Sequence, residues 1–158
     1  MRVSTTSILL VAALSGRVAL TQEPTKPPKP NIYSETTDAH LEIKKALATA
    51  KLEHKRVLLD FGGNWCGDCR ALDAYYHQEP NATLLKTYFI LVDVNIGKFD
   101  KNVDIAKKYE VPLEKGVPAV AVLDANGQLL FSQKHGEFES MRRMDVSSVT
   151  EFLQHSKG

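Results

Sequence analysis

The chain has 158 residues, a formal net charge of +1, 43% hydrophobic and 25% charged residues. That composition is ordinary for one soluble globular domain with a single core. A charge so near zero, with the basic residues scattered, excludes the polybasic field that nucleic acid or an anionic lipid surface would need, and Arg142-Arg143 reads as a solvated face.

Residues 1–20 have the shape of a secretory signal peptide. Met1-Arg2 makes a short basic start, and Ile8 to Leu14 is a compact apolar stretch with small residues after it. The stretch is too short to span a bilayer, and Gly16 and Arg17 interrupt any extension. Cleavage fits after Ala13-Leu14-Ser15 or nearer Leu20. No cysteine follows the apolar stretch, which excludes a bacterial lipoprotein anchor. A periplasmic or secreted location is therefore expected. Residues 21–32 read as a spacer, because Pro24, Pro27, Pro28 and Pro30 favour extended polyproline II and cannot build a core. The folded domain is expected over 33–158.

Within it, Asp38 can cap a helix whose apolar positions are Leu41, Ile43, Ala46, Leu47, Ala50 and Leu52. Val57 to Phe61 is short and apolar and reads as a strand buried on both faces. Gly62-Gly63-Asn64 is a turn. A helix is predicted from the cysteines through Tyr75, with another turn or two of helix over Asn81 to Lys86. Tyr88 to Ile96 is the strongest strand signal. Asp100 to Tyr109 reads as a helix and Val117 to Leu123 as a strand. Asp124-Ala125-Asn126-Gly127 reads as a hairpin turn, because Asn-Gly tolerates positive φ. Gln128 to Ser132 returns as a strand, and Asp145 caps a last helix. Lys134 to Met144 carries no feature that converts into chemistry. Helices alternating with strands before a closing hairpin and helix predict an α/β domain, a central mixed sheet with helices on both faces.

The two cysteines stand three positions apart in Trp65-Cys66-Gly67-Asp68-Cys69. At this spacing two thiols that open a helix can close into a small, reversible disulfide. With Val57-Leu58-Leu59-Asp60-Phe61 before the pair and Gly116-Val117-Pro118-Ala119 far downstream, the chain resembles the thioredoxin superfamily. Among its members, the export signal and spacer make it most similar to secreted bacterial thioredoxin-like thiol:disulfide interchange proteins. It departs from many thioredoxins in having Gly62-Gly63 for Trp-Ala, Asp68 for proline and Asp93 where lysine is common.

The resemblance implies a thioredoxin-like fold and a thiol–disulfide oxidoreductase working through a Cys66–Cys69 redox disulfide. Cys66, at a helix N-terminus that favours the thiolate, is the expected nucleophile, and Cys69 resolves the mixed disulfide. Asp60, buried without a cation and so raised in pKa, is expected to take the Cys69 proton. Trp65 forms an apolar lip for the partner. Pro118 is expected to follow a cis bond, leaving the Val117 backbone free to pair with an extended substrate. Asp68 would raise the Cys66 pKa and Arg70 would lower it, and with both expected at the screened surface the net sign stays open.

Expected partners are protein thiols and disulfides, with a membrane redox partner supplying electrons, and no nucleic acid. The expected state is a monomer, with no cofactor and no metal, because no dinucleotide motif is present and no two histidines have metal-pair spacing. Reduction of protein disulfides is the first reading. An oxidase or isomerase of the same fold, a binding or chaperone module with little redox activity, and a dithiol metal carrier are the alternatives.

Overall fold

Strand β1, Arg56–Gly62, is the axis of the molecule, and from Val57 onward every residue of it is buried. A strand with no solvent-facing side must be covered on both faces and paired on both edges. The computed structural model, which describes residues 31–158, supplies both. The expected signal peptide and the spacer as far as residue 30 lie outside the described residues.

Strand β2, Phe89–Asn95, runs parallel to β1, whereas β3, Ala119–Leu123, runs antiparallel to it; β4, Leu129–Ser132, pairs with β3. The sheet is thus mixed, in the order β2-β1-β3-β4. Around it lie α1 (Ala39–Glu53), α2 (Gly67–Tyr76), α3 (Asn81–Tyr88), α4 (Val103–Lys108) and α5 (Val146–Ser156), with short 3-10 turns at Leu113–Lys115 and Met141–Arg143.

Alternation along the strands divides the core in two. Val57, Leu59 and Phe61 face α1 and α4, where Ile43, Ala46, Ala50, Ile105 and Ala106 meet them. Leu58, Val120 and Val122 face the other side, against Leu72, Tyr76, Val149 and Leu153 from α2 and α5. Asp60 shares the parity of Leu58. Its register partner on β2 is Asp93, so the two carboxyls stand on one face of adjacent strands.

Local chemistry sets the element ends. The Asp38 carboxylate accepts from the backbone N–H groups of His40 and Leu41 at the start of α1. Asp145 holds the corresponding place before α5, but its side chain makes no capping bond, contrary to expectation. Leu41 and Leu52 are exposed, not part of the core face as expected. The face that packs is Ala39, Ile43, Ala46 and Ala50, and both leucines fall two positions off it, on the far side of the helix. α4 is shorter than the expected span, because Phe99 and Asn102 take positive φ values of 67° and 52° and break any helix before Val103.

The hairpin also differs in kind. Only Gly127 takes positive φ, and its N–H donates to the Asp124 carbonyl, which is a turn ending on a left-handed glycine and not an Asn-Gly pair. The Asp124 carboxylate accepts from Asn126 and Gln128 N–H groups, stabilising the tip.

Segment 134–144 is part of the core structure. Phe138 and Met141 are buried against α5, and Lys134 pairs with Glu110 at 2.7 Å. Tyr76, expected half-exposed, is buried too.

Asn81 ties α2, α3 and α5 together. It is fully buried, donates to the Tyr75 carbonyl at 3.0 Å, and accepts from the Thr150 hydroxyl at 2.6 Å. Asn81→Leu keeps the volume but strands the Thr150 hydroxyl. It should lower unfolding free energy by about 1–3 kcal/mol, read as a lower urea midpoint at unchanged m-value.

Candidate active site

Cys66 is the N-cap residue of α2, and its Sγ accepts from the Cys69 backbone N–H at 3.0 Å. A sulfur so placed meets the unpaired N–H groups and the positive dipole end of the helix, both of which favour negative charge on it. Cys66 and Cys69 are joined as a disulfide with their Cα atoms 5.3 Å apart. Cys69, one helical turn further in, has no exposure, whereas Cys66 keeps 5%. Cys66 is therefore the sulfur an incoming group reaches first.

Two other loops complete the rim. The Val117–Pro118 peptide is cis, and the Val117 carbonyl oxygen lies 3.5 Å from Cys66 Sγ. This loop is braced from behind by Gln133, which is buried just beyond β4. Its side chain donates to the Pro118 carbonyl at 3.4 Å and accepts from the Val120 N–H at 3.3 Å, continuing the ladder where the strand stops. On the other side Trp65 is 48% exposed, its indole N–H donating to the Gly97 carbonyl at 2.6 Å and its ring 5.7 Å from Phe99. The two rings present an apolar shelf beside Cys66.

Behind the disulfide lies a buried polar group that nothing neutralises. Asp60 has no exposure, and neither carboxyl oxygen has a hydrogen-bond partner. Burial first, then the Asp93 carboxylate, holds its pKa well above the ordinary carboxylate value. Asp93 stands on the sheet's edge strand, open to solvent on one side. Partial desolvation and Asp73 push it up to about 6, against His77, which lowers it. Tyr76 and Tyr33, both buried with unpartnered hydroxyls, border the same region, and burial raises both.

The structure corrects the reading of Asp68 and Arg70 as screened surface charges. Asp68 is only 15% exposed at its side chain and is gripped by Arg142: the guanidinium donates to Oδ2 at 2.9 Å and the backbone N–H to Oδ1 at 2.8 Å. This contact holds the Asp68 carboxyl below its ordinary range. Arg142 is thus a neighbour of the dithiol, not a merely solvated residue. Its guanidinium also passes over Gly67, within 3.3 Å of where a Cβ would stand. Arg70 donates to the Asn64 carbonyl at 2.6 Å and so fixes the loop ahead of Trp65.

The fold therefore gathers Cys66, Cys69, Asp60, Trp65, Val117 and Pro118 around one disulfide. Sequence reasoning missed Tyr33, Gln133 and Arg142. None carries a local signal, because each reaches the site from a segment far away in the chain. Among the described residues, no cluster of His, Cys, Asp or Glu has the make-up of a metal site.

A mixed sheet of this order with a disulfide at the N-terminus of its second helix defines a thiol–disulfide oxidoreductase of thioredoxin fold. A family model described as Thioredoxin-like matches residues 38–125, and the chain belongs to that family. A structure described as the disulphide isomerase from Xylella fastidiosa Temecula1 is 37% identical, covers 80% of this chain and 96% of its own, and has a TM-score of 0.76. The oxidised DsbD C-terminal domain from Neisseria meningitidis shares the fold at 18% identity and TM-score 0.54, covering 76% of this chain and 97% of its own. The thiol:disulfide interchange protein DsbD from Salmonella typhi is 31% identical over 88 residues, 55% of this chain. The chain spans only 15% of that relative's length.

Burial of Asp60 makes stability depend on pH. A carboxyl whose folded pKa is raised binds its proton more tightly in the folded state, so stability falls as pH rises from about the unfolded value. For Asp93 that loss runs from 3.8 to about 6, and for Asp60 it continues higher. Asp60→Asn should therefore be more stable than the parent at pH 8, with the gain shrinking toward pH 4. Thermal melts of the disulfide form across this range check it; a gain that grows on acidification would refute the assignment.

Proposed function

We propose that this chain is an exported thiol–disulfide oxidoreductase that reduces disulfides in other proteins. The observation that carries the reading is the disulfide at the N-terminus of α2, with Cys66 at the rim and Cys69 behind it.

In the dithiol form the Cys66 thiolate attacks one sulfur of a substrate disulfide. A Cys66–substrate bond forms, the substrate bond breaks, and the first substrate sulfur leaves as a thiolate that takes a proton from solvent. Cys69 then gives its proton to the Asp60 carboxylate and attacks Cys66 Sγ. The second substrate sulfur leaves, and the two electrons of the dithiol have passed to the substrate. Asp60 suits this task because burial raises its basicity and places it behind the deeper cysteine. The Trp65–Phe99 shelf receives apolar parts of the partner, and the Val117 backbone pairs with an extended substrate segment.

A membrane redox partner returns electrons to the disulfide. Similarity to thiol:disulfide interchange proteins supports exchange with other redox proteins. Residues 1–20 direct export and 21–32 act as a tether, leaving 33–158 to work outside the cytoplasm as a monomer. Isomerisation is the second reading, favoured by the 37% identity to a protein described as a disulphide isomerase.

Cys66→Ser should abolish reduction of an insulin-type protein disulfide, while Cys69→Ser should accumulate mixed disulfides with extract proteins, seen as thiol-sensitive bands on a gel. A Cys66→Ser variant that keeps its activity would end the proposal. The reduction potential separates the readings: a value near ~−270 mV supports a reductase, and one near ~−180 mV an isomerase.

Arg142 supplies a further check. Arg142→Ala leaves the Asp68 charge unopposed beside Cys66, so the Cys66 thiol pKa should rise and its alkylation by iodoacetamide at pH 7 should slow a few-fold. Asp68→Asn should do the reverse, and the double variant should return toward the parent rate.

A further inference from the structure

We propose that Tyr33 is a positioning residue of this site: its buried hydroxyl serves the Asp60 carboxylate as a hydrogen-bond donor and sets the pH at which Asp60 can accept the Cys69 proton. This rests on the reading of Asp60 as the proton acceptor.

The geometry begins with Gly62, at the end of β1. A Cβ built there would collide with the Tyr33 hydroxyl and stand 2.8 Å from Cys69 Sγ. The phenol tip and the resolving sulfur therefore meet at one point, and glycine is what leaves them room. Tyr33 has no exposure, although it belongs to the segment that enters the domain ahead of α1.

The fold holds it there deliberately tightly. Asn64, two residues before Cys66, accepts from the Tyr33 N–H at 3.0 Å and donates to the Tyr33 carbonyl at 2.7 Å. Asn95, at the end of β2, donates to the Ser34 carbonyl at 3.0 Å. Asn64 is itself held by Arg70 from α2. The entering segment is thus latched to the active-site loop and to the adjoining strand.

The hydroxyl of Tyr33 and both oxygens of Asp60 are buried without other partners. A buried donor and a buried acceptor in one region, each otherwise unsatisfied, gain most by serving each other. The pair is short of full hydrogen-bond geometry in the disulfide form. Hydrogen bonds of this kind tighten when the reacting state forms. Tyr33 differs from everything else that acts on Asp60. Asp93 on β2 and Asp73 on α2 are acidic, Tyr76 on α2 is another buried phenol, and Tyr33 alone favours the ionised carboxyl. Where the site has no cation for Asp60, the phenol takes that part.

The test uses the full chain and the Tyr33→Phe, Asp60→Asn and double variants. Stopped-flow mixing of the reduced protein with an aromatic disulfide separates the first attack by Cys66 from resolution by Cys69, across pH 5 to 9. Tyr33→Phe should leave the first attack unchanged and move the resolution profile to higher pH. At pH 7 resolution should fall about threefold to tenfold. In the Asp60→Asn background the same substitution should have no effect on resolution. A carboxyl NMR titration of Asp60 in the disulfide form reads the same coupling without catalysis and should move upward in Tyr33→Phe. If Asp60→Asn slows resolution while Tyr33→Phe leaves both profile and titration in place, the role of Tyr33 is overturned and that of Asp60 stands. If Asp60→Asn leaves resolution unchanged, the acceptor reading fails and the Tyr33 role falls with it.

Discussion

A carboxyl group in the middle of a fully buried strand constrains everything around it. Asp60 cannot be moved outward, because β1 is paired on both edges and covered on both faces. A one-residue slip would turn Leu59 or Phe61 toward the active-site face and send Asp60 into the α1 side of the core. The register with β2 and β3 therefore fixes the carboxyl behind the disulfide. The groups within reach of it are acids and phenols, so it stays hard to ionise. That reluctance costs stability at neutral pH and gives the resolving cysteine a basic neighbour.

The rest of the site follows from what surrounds that strand. Its C-terminal end opens into Gly62 and Gly63, where side chains would collide with Tyr33, Cys69 and Trp65. The chain then turns into α2 with Cys66 at the N-cap, so the strand sets the helix position and the helix sets the polarity of the sulfur. Gln133 and Arg142 come from the far end of the chain. One props the Val117–Pro118 loop, and the other cancels the charge that Asp68 would otherwise place between the cysteines. Segment 134–144, anchored by Phe138 and Met141, exists in this architecture to deliver that arginine.

Much of this was legible without coordinates. The apolar runs at 57–61 and 117–123, the alternation of elements and the cysteine spacing carry their signals within a few residues. Errors occurred where a signal depended on a partner outside the window. Leu41 and Leu52 look like helix core by composition, yet the face that packs is chosen by the sheet beneath it. Asn126-Gly127 looks like a paired left-handed turn, but Asp124 satisfies the tip in another way. Segment 134–144 looked inert because its partners, Asp68 and Glu110, lie elsewhere in the chain.

By itself the sequence determined the elements, the dithiol and the order in which its sulfurs would act, since these rest on local periodicity, on spacing and on helix polarity. Only the tertiary structure decided how Asp60 is surrounded and what offsets Asp68. Charge and burial at a point depend on everything packed within a few ångströms, and in this fold Tyr33, Asp93 and Arg142 reach the dithiol from three separate parts of the chain.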